Sequence, residues 1–359
     1  MWYNEDGDKM SSAEIIRILI MVLTTFLFVT FIMPIIKNIA VHIGALDIPN
    51  ARKVHQNPIP RLGGLGIYLG FLLGYMIFGE PSSIMNSILI GSFIIVITGV
   101  IDDIKPLKAS VKFGGQLVAA LIVVFYGELL IQELSAFGFY LNFGIFSYPI
   151  TLFFILGCIN CMNLIDGLDG LAGGISSIYF LTIGVIACLN FNIGLDLVLT
   201  FVMLGSTLGF LVHNFHPASI FMGDSGSMFL GFIIAVIALL GFKNVTLTSL
   251  IIPVLILAIP ILDTIFAIIR RMLKGESIST PDKFHIHHQF LNRNFSQVQT
   301  VLIIYFINIL FAVASVIYVL KDRILGYIMY GILIFLVSIF VFKTNIIVEH
   351  KSKEKDLKK

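Results

Sequence analysis

Residues 15–36 read IIRILIMVLTTFLFVTFIMPII, a 22-residue stretch in which Arg17 is the only charge. A bilayer core takes about 20 mostly apolar residues per helix, so this stretch predicts a transmembrane helix. The acidic start Asn4-Glu5-Asp6-Gly7-Asp8 and the length of the run argue for a retained first span over a cleavable leader. Ten similar stretches follow, at about 62–79, 86–104, 112–130, 147–165, 171–190, 195–214, 226–242, 245–269, 298–320 and 324–343. Of the 359 residues, 58% are hydrophobic and 12% charged, where a soluble domain carries roughly a quarter charged. The expectation is an all-α, polytopic integral membrane bundle of about eleven helices. It forms one domain, 1–359, with its core at 15–343 and a short charged tail at 344–359.

Eighteen of the 23 Lys and Arg residues fall on one side of this arrangement: 37–61, 105–112, 270–293 and the tail from Lys343 onward. Positively charged loops stay in the cytoplasm, which predicts an outside N-terminus and a cytoplasmic C-terminus in a plasma membrane. The basic residues form no interleaved aromatic patch for single-stranded nucleic acid, so no nucleic-acid partner is expected. Cys158, Cys161 and Cys188 lie in apolar stretches and read as packing residues rather than a disulfide framework.

Five loops on the basic side carry more polar chemistry than a connection needs. The first runs Asp47-Ile48-Pro49-Asn50-Ala51-Arg52-Lys53-Val54-His55 and then Pro58, Pro60-Arg61-Leu62-Gly63-Gly64; its cations and histidine suit phosphate or a positive-inside anchor equally. The second is Asp102-Asp103, followed by Lys105, Lys108 and Lys112. One Asp at a helix centre costs about 2.5–3.5 kcal/mol, so a divalent cation or the neighbouring lysines must offset the pair unless it is a solvated helix end. The third spans Asn160, Asn163, Asp166, Gly167, Asp169 and Gly170, amides and carboxylates able to bind a base, a ribose or a metal. It lacks EF-hand spacing, and a capped turn would explain one aspartate but not the set.

The fourth runs His213-Asn214-Phe215-His216-Pro217-Ala218-Ser219-Ile220-Phe221-Met222-Gly223-Asp224-Ser225-Gly226-Ser227. Asp224 among glycines and hydroxyls favours Mg²⁺, a hard cation that keeps waters and binds phosphate beside one or two carboxylates; helix capping is the alternative. The fifth, after Asp263 and Arg270-Arg271, is Pro281-Asp282-Lys283-Phe284-His285-Ile286-His287-His288. Zinc would need further ligands near these imidazoles, so phosphate contact or proton transfer fits them better, with a solvated His-rich loop as the plain reading. Together the loops hold the parts for phosphoryl transfer, which is mostly positioning and charge neutralisation. No Walker loop is present.

These five ordered segments, spread over about residues 15–343, resemble the polyprenyl-phosphate N-acetylhexosamine-1-phosphate transferases of glycosyltransferase family 4. Among them the chain is most similar to the bacterial enzymes that use UDP-GlcNAc and undecaprenyl phosphate to begin wall teichoic acid or related envelope glycans. His285-Ile286-His287-His288 differs from the three consecutive histidines followed by Phe-Glu of the UDP-MurNAc-pentapeptide branch. The resemblance implies a Mg²⁺-dependent enzyme, with Mn²⁺ as a substitute. It implies Asp224 as principal metal ligand, Asp102 acting on the lipid phosphate and Asp103 supporting the metal or its waters. Asn163, Asp166, Asp169, Asn214 and Phe221 would form the uridine and ribose pocket, with Asn160 and His285 also on the substrate side. Lys112 would neutralise phosphate, His287 or His288 would touch the pyrophosphate, and His55 and Arg61 would line the same face. The expected partners are UDP-GlcNAc, undecaprenyl phosphate, membrane lipid and a second copy in a homodimer. A transporter of an anionic lipid or nucleotide sugar would need a polar path across the membrane, which the sparse charges of the opposite connections (Glu80, Glu128, Glu133, Asp196) do not offer. A membrane scaffold would explain the spans and none of the loops.

Overall fold

The computed structural model describes residues 10–49, 57–136, 139–190, 194–243, 251–275, 285–320 and 323–342. The first long helix, α1 (Ser12–His42), opens with a capping box. The Ser11 hydroxyl accepts from the Glu14 amide at 3.2 Å and the Glu14 carboxylate accepts from the Ser11 amide at 2.7 Å, so two of the amides that every helix start leaves orphaned are satisfied. A short hairpin of β1 (Leu46–Asp47) and β2 (Ile59–Pro60) follows, pairing Leu46 with Pro60 and Asp47 with Ile59.

Beyond it come α2 (Gly63–Phe78), α3 (Ser83–Ile104) and α4 (Ala109–Leu121), the last running on through a π-helical turn to Tyr126. A second hairpin, β3 (Glu133–Ala136) with β4 (Phe139–Asn142), precedes α5 (Ser147–Ile165), α6 (Leu171–Leu189), α7 (Leu195–Asn214) and α8 (Gly223–Lys243). The chain then forms α9 (Ile251–Ile256), α10 (Ala258–Leu273), α11 (Ile286–Leu291), α12 (Gln297–Leu320) and α13 (Arg323–Phe342).

The protein is an all-α polytopic membrane protein. Among the described residues, nine helices are long and apolar enough to cross a bilayer. Two of the expected eleven differ. The second, α2, has only 16 residues, because Leu62 takes a left-handed conformation at its start and Gly79 ends it. The expected span 245–269 breaks at Leu257 into α9 and α10, while residues 244–250 lie outside the described residues. Two small antiparallel hairpins were also not expected, because their strands are too short to show an alternating pattern.

The bundle is layered around α8, whose membrane segment is 94% buried, whereas that of α1 is 22% buried and faces outward. Helix α8 packs against α2, α3 and α5, while α7 joins α1, α2 and α6, and α12 joins α6 and α13. Lipid supplies no hydrophobic drive between helices, so close backbone approach through small residues holds such contacts. Gly64 shows the extreme case: a Cβ there would stand 2.0 Å from the Gly226 amide nitrogen, so α2 and α8 touch backbone to backbone at their starts.

Candidate active site

Backbone hydrogen bonds stitch the polar loops together. Phe221 donates to the Pro60 carbonyl at 2.8 Å, Gly63 to Phe221 at 2.9 Å and Gly64 to Met222 at 2.8 Å. The first and fourth loops are thereby zipped side by side, and Arg61 is delivered to the start of α8. The Asn214 amide bridges the third and fourth: its oxygen accepts from the Gly170 amide at 3.0 Å and its nitrogen donates to the Ile220 carbonyl at 3.0 Å. Asp169 adds to that seam by accepting from the Ala218 amide at 3.1 Å and pairing with His216 Nδ1 at 2.8 Å. Gly170, at φ +78°, makes the left-handed turn into α6 that only glycine takes cheaply.

Asp103 is almost fully buried at the end of α3, and both its oxygens are engaged. It accepts from the amides of Asp224 and Ser225 at 2.8 and 3.1 Å and from the Ser225 hydroxyl at 2.7 Å. A side chain 121 residues away in sequence therefore caps α8, meeting the orphan amides and the positive end of the helix dipole at once. Gly223, at φ +74°, leaves it room: a Cβ there would fall 2.4 Å from the Asp103 carboxylate. Asp103 was expected as a metal or catalytic group; here it is the carboxylate that sets the position of Asp224.

Cations bind this carboxylate cluster together. Lys112 Nζ lies 3.1 Å from Asp102 and 2.7 Å from Asp224, so one of the neighbouring lysines does offset the acidic pair. Arg61 reaches Asp47 and Asp103 at 3.5 Å and Asp224 at 3.6 Å. Asp102 itself lies behind Lys112; its other oxygen accepts from the Leu107 amide at 2.7 Å and closes the turn between α3 and α4.

The cluster opens into a cavity of about 340 Å³ lined by Asp47, Arg61, Asn163, Asp166, Asp169, Asn214, Phe221, Asp224, Ser227, His287, His288 and Gln297, among others. Four of the five loops thus meet in one cleft, and the second loop reaches it through Lys112. Asn163 is held by its bond to the Ser227 hydroxyl at 2.9 Å. Asn160 turns away, bonding the Gln116 side chain at 2.9 Å and the Leu156 carbonyl at 2.8 Å. His285 also stands behind the cleft, at 2.8 Å from Asp263. His55 lies outside the described residues.

Electrostatics follow from the crowding. Burial pushes the Asp166 carboxyl up to about 7; the charges of Asp224, Asp103 and Asp169 add to the rise, and Arg61 opposes it. Burial lowers the Arg61 guanidinium, but the carboxylates of Asp103, Asp47, Asp224 and Asp166 outweigh it and hold the group above its ordinary value. His287 is buried and pushed well below the usual imidazole range by desolvation and by His288 and His285, so it stays neutral. Carboxylates outnumber the cations Arg61 and Lys112 around the cleft. Among the described residues no three His, Cys, Asp or Glu side chains form a ready metal cage. That donor set fits Mg²⁺, which takes one or two carboxylates, waters and phosphate oxygens, with Asp224 and Asp166 facing the cleft.

Asp47, Ser227 and Gln297 were not singled out as site residues. Ser227 stands in the glycine-rich segment already noted, and Asp47 opens the first loop. Gln297 begins a span, and nothing in its local sequence marks it.

Residues 85–242 match the family described as glycosyl transferase family 4. The chain is 43% identical over 313 residues to a probable undecaprenyl-phosphate N-acetylglucosaminyl 1-phosphate transferase of Bacillus subtilis, covering 86% of this chain and 87% of that protein. It is 32% identical over 306 residues to the decaprenyl-phosphate N-acetylglucosaminephosphotransferase of Mycolicibacterium smegmatis, covering 75% and 74% of the two. It is also 32% identical over 293 residues to the undecaprenyl-phosphate alpha-N-acetylglucosaminyl 1-phosphate transferase of Salmonella typhi, covering 79% and 78%. The carboxylate-rich cleft thus sits in a chain that belongs to glycosyl transferase family 4.

Proposed function

We propose that this protein transfers GlcNAc-1-phosphate from UDP-GlcNAc to undecaprenyl phosphate, giving undecaprenyl-diphospho-GlcNAc and UMP. The observation that carries the reading is the single cleft in which Asp166, Asp224, Asn163, Phe221 and His288 stand around one cavity with Arg61 at its edge. The names of the relatives, which specify a polyprenyl phosphate and N-acetylglucosaminyl phosphate, support a polyprenyl-phosphate acceptor and a GlcNAc-1-phosphate donor. In the reaction an oxygen of the lipid phosphate attacks the phosphorus that carries the sugar. The bond from that phosphorus to the bridging oxygen breaks, and UMP leaves with the electron pair.

Phe221 offers an aromatic face for the uracil, and Asn163 and Asp169 offer hydrogen bonds to the nucleoside. Asp224 and Asp166 would hold Mg²⁺, which when bound neutralises the pyrophosphate and its leaving oxygen. Arg61 and Lys112, paired with the carboxylates around Asp224, would supply positive charge beside the phosphates. Asp102 acts by holding Lys112 in place. The cleft faces the cytoplasm of a bacterial plasma membrane, where the basic loops lie, and the product begins wall teichoic acid or a related envelope glycan.

Purified protein given UDP-GlcNAc, undecaprenyl phosphate and Mg²⁺ should release UMP, and a panel of other UDP-sugars should give less. Asp224→Ala should lower the rate at least a hundredfold, a loss of about 2.7 kcal/mol in transition-state stabilisation. Full UMP release by that variant would rule the reading out.

A further inference from the structure

The fifth loop is built on a side chain that the reaction itself does not call for. Asp263 on α10 is 2% exposed. One of its oxygens accepts from the Ile286 amide at 2.7 Å and the other lies 2.8 Å from His285 Nδ1. We propose that Asp263 is a positioning residue: it fixes the tautomer of His285 and, through that ring, seats His287 in the cleft.

A carboxylate only accepts hydrogen bonds, so the contact requires the His285 proton on Nδ1. The His285 ring then stands parallel to that of His287, with centroids 5.7 Å apart and an angle of 1° between the planes. His287 also meets Gly167 of the third loop, where a Cβ would stand 2.6 Å from Nε2. The His288 ring closes the third side at 4.3 Å between centroids. His287 is therefore gripped on three sides and is 2% exposed, yet its Nδ1 has no hydrogen-bond partner among the described residues. A buried polar nitrogen without a partner is costly, so the packing around the ring must hold His287 where it lines the cavity. Because the imidazole stays neutral, it would offer a nucleotide sugar in that cavity a directed hydrogen bond rather than a charge. Carboxylates that orient a working histidine through its other nitrogen do the same in metal sites, where their loss costs about 10–100-fold.

This inference rests on the proposed transfer reaction, and its test separates the two. Histidines labelled with ¹⁵N in the full-length protein in nanodiscs should show His285 protonated at Nδ1. In Asp263→Asn the amide oxygen can keep the Ile286 bond while its NH₂ faces His285, so the proton should move to Nε2. The His287 resonances should shift with it, and kcat should fall about 10–100-fold with the KM for UDP-GlcNAc changing less. Gly167→Ala provides a second approach should Asp263→Asn fail to fold: it presses on His287 directly and should lower kcat with the His285 tautomer unchanged. A wild-type His285 protonated at Nε2, or Asp263→Asn with wild-type kcat, overturns the proposal. So does full activity in Gly167→Ala. If wild-type protein releases no UMP, the proposed reaction fails. The positioning claim is then judged by whether UDP-GlcNAc shifts the His287 resonances in wild type and not in Asp263→Asn.

Discussion

Asp103 offers a direct separation between a carboxylate that holds metal and one that holds a helix. Replacing it with alanine removes all three acceptor contacts at the start of α8, to two amides and one hydroxyl, from a site that water does not reach. Hydrogen bonds to a charged group contribute about 1.5–3 kcal/mol each when buried. Discounting for relaxation of the Ser225 hydroxyl toward another acceptor, the loss is about 4 kcal/mol. At about 2 °C per kcal/mol for a chain of this size, the melting temperature should fall about 8 °C. Asp103→Asn keeps one accepting oxygen and should lose about half as much, about 4 °C. The protein carries its own reporter: Cys158 and Cys161 are free and buried, so a thiol-reactive fluorophore reads unfolding directly in detergent. Activity should fall in step with stability, because Asp224 sits on the turn that Asp103 caps. An Asp103→Ala protein that melts within about 1 °C of wild type yet has lost Mg²⁺ affinity would refute the capping argument and return Asp103 to the metal.

Two further outcomes follow from the geometry of the cleft. Asp166, with its carboxyl raised to about 7, is largely protonated at pH 6 and charged at pH 8. Mg²⁺ affinity should therefore rise across that interval with release of a proton, and the metal-free protein should lose stability as pH climbs through 7, since its folded state favours the neutral acid. Calorimetric titrations in two buffers of different ionisation enthalpy measure this, and an affinity that does not vary with pH, or the same variation in Asp166→Asn, would count against it. Asn160→Ala breaks the bond to Gln116 outside the cleft and should cost about 1 kcal/mol of stability while moving the KM for UDP-GlcNAc less than Asn163→Ala does; steady-state kinetics beside thermal melts would expose the opposite order.

Hydropathy summed over about 20 residues is a local property, which is why α1, α3 to α8, α12 and α13 could be located from the chain alone. It overestimated the length of α2 and missed the break between α9 and α10, where a left-handed Leu62 and the turn at Leu257 depend on what packs beside them. The same division runs through the site. Clusters such as Asp102-Asp103 and Asn163 to Gly170 stood out because charged and amide side chains at a membrane boundary need a compensating partner. Which partner each one takes was not readable. Lys112 meets Asp224 across 112 residues and Asp103 meets it across 121, distances over which no local pattern carries information. The sequence by itself therefore determined the membrane bundle and the polar loops that matter. Only the packing of the helices decided that Asp103 caps a helix, that Lys112 and Arg61 clamp Asp224, and that Asn160 and His285 stand behind the cleft, because each depends on backbones brought together through space.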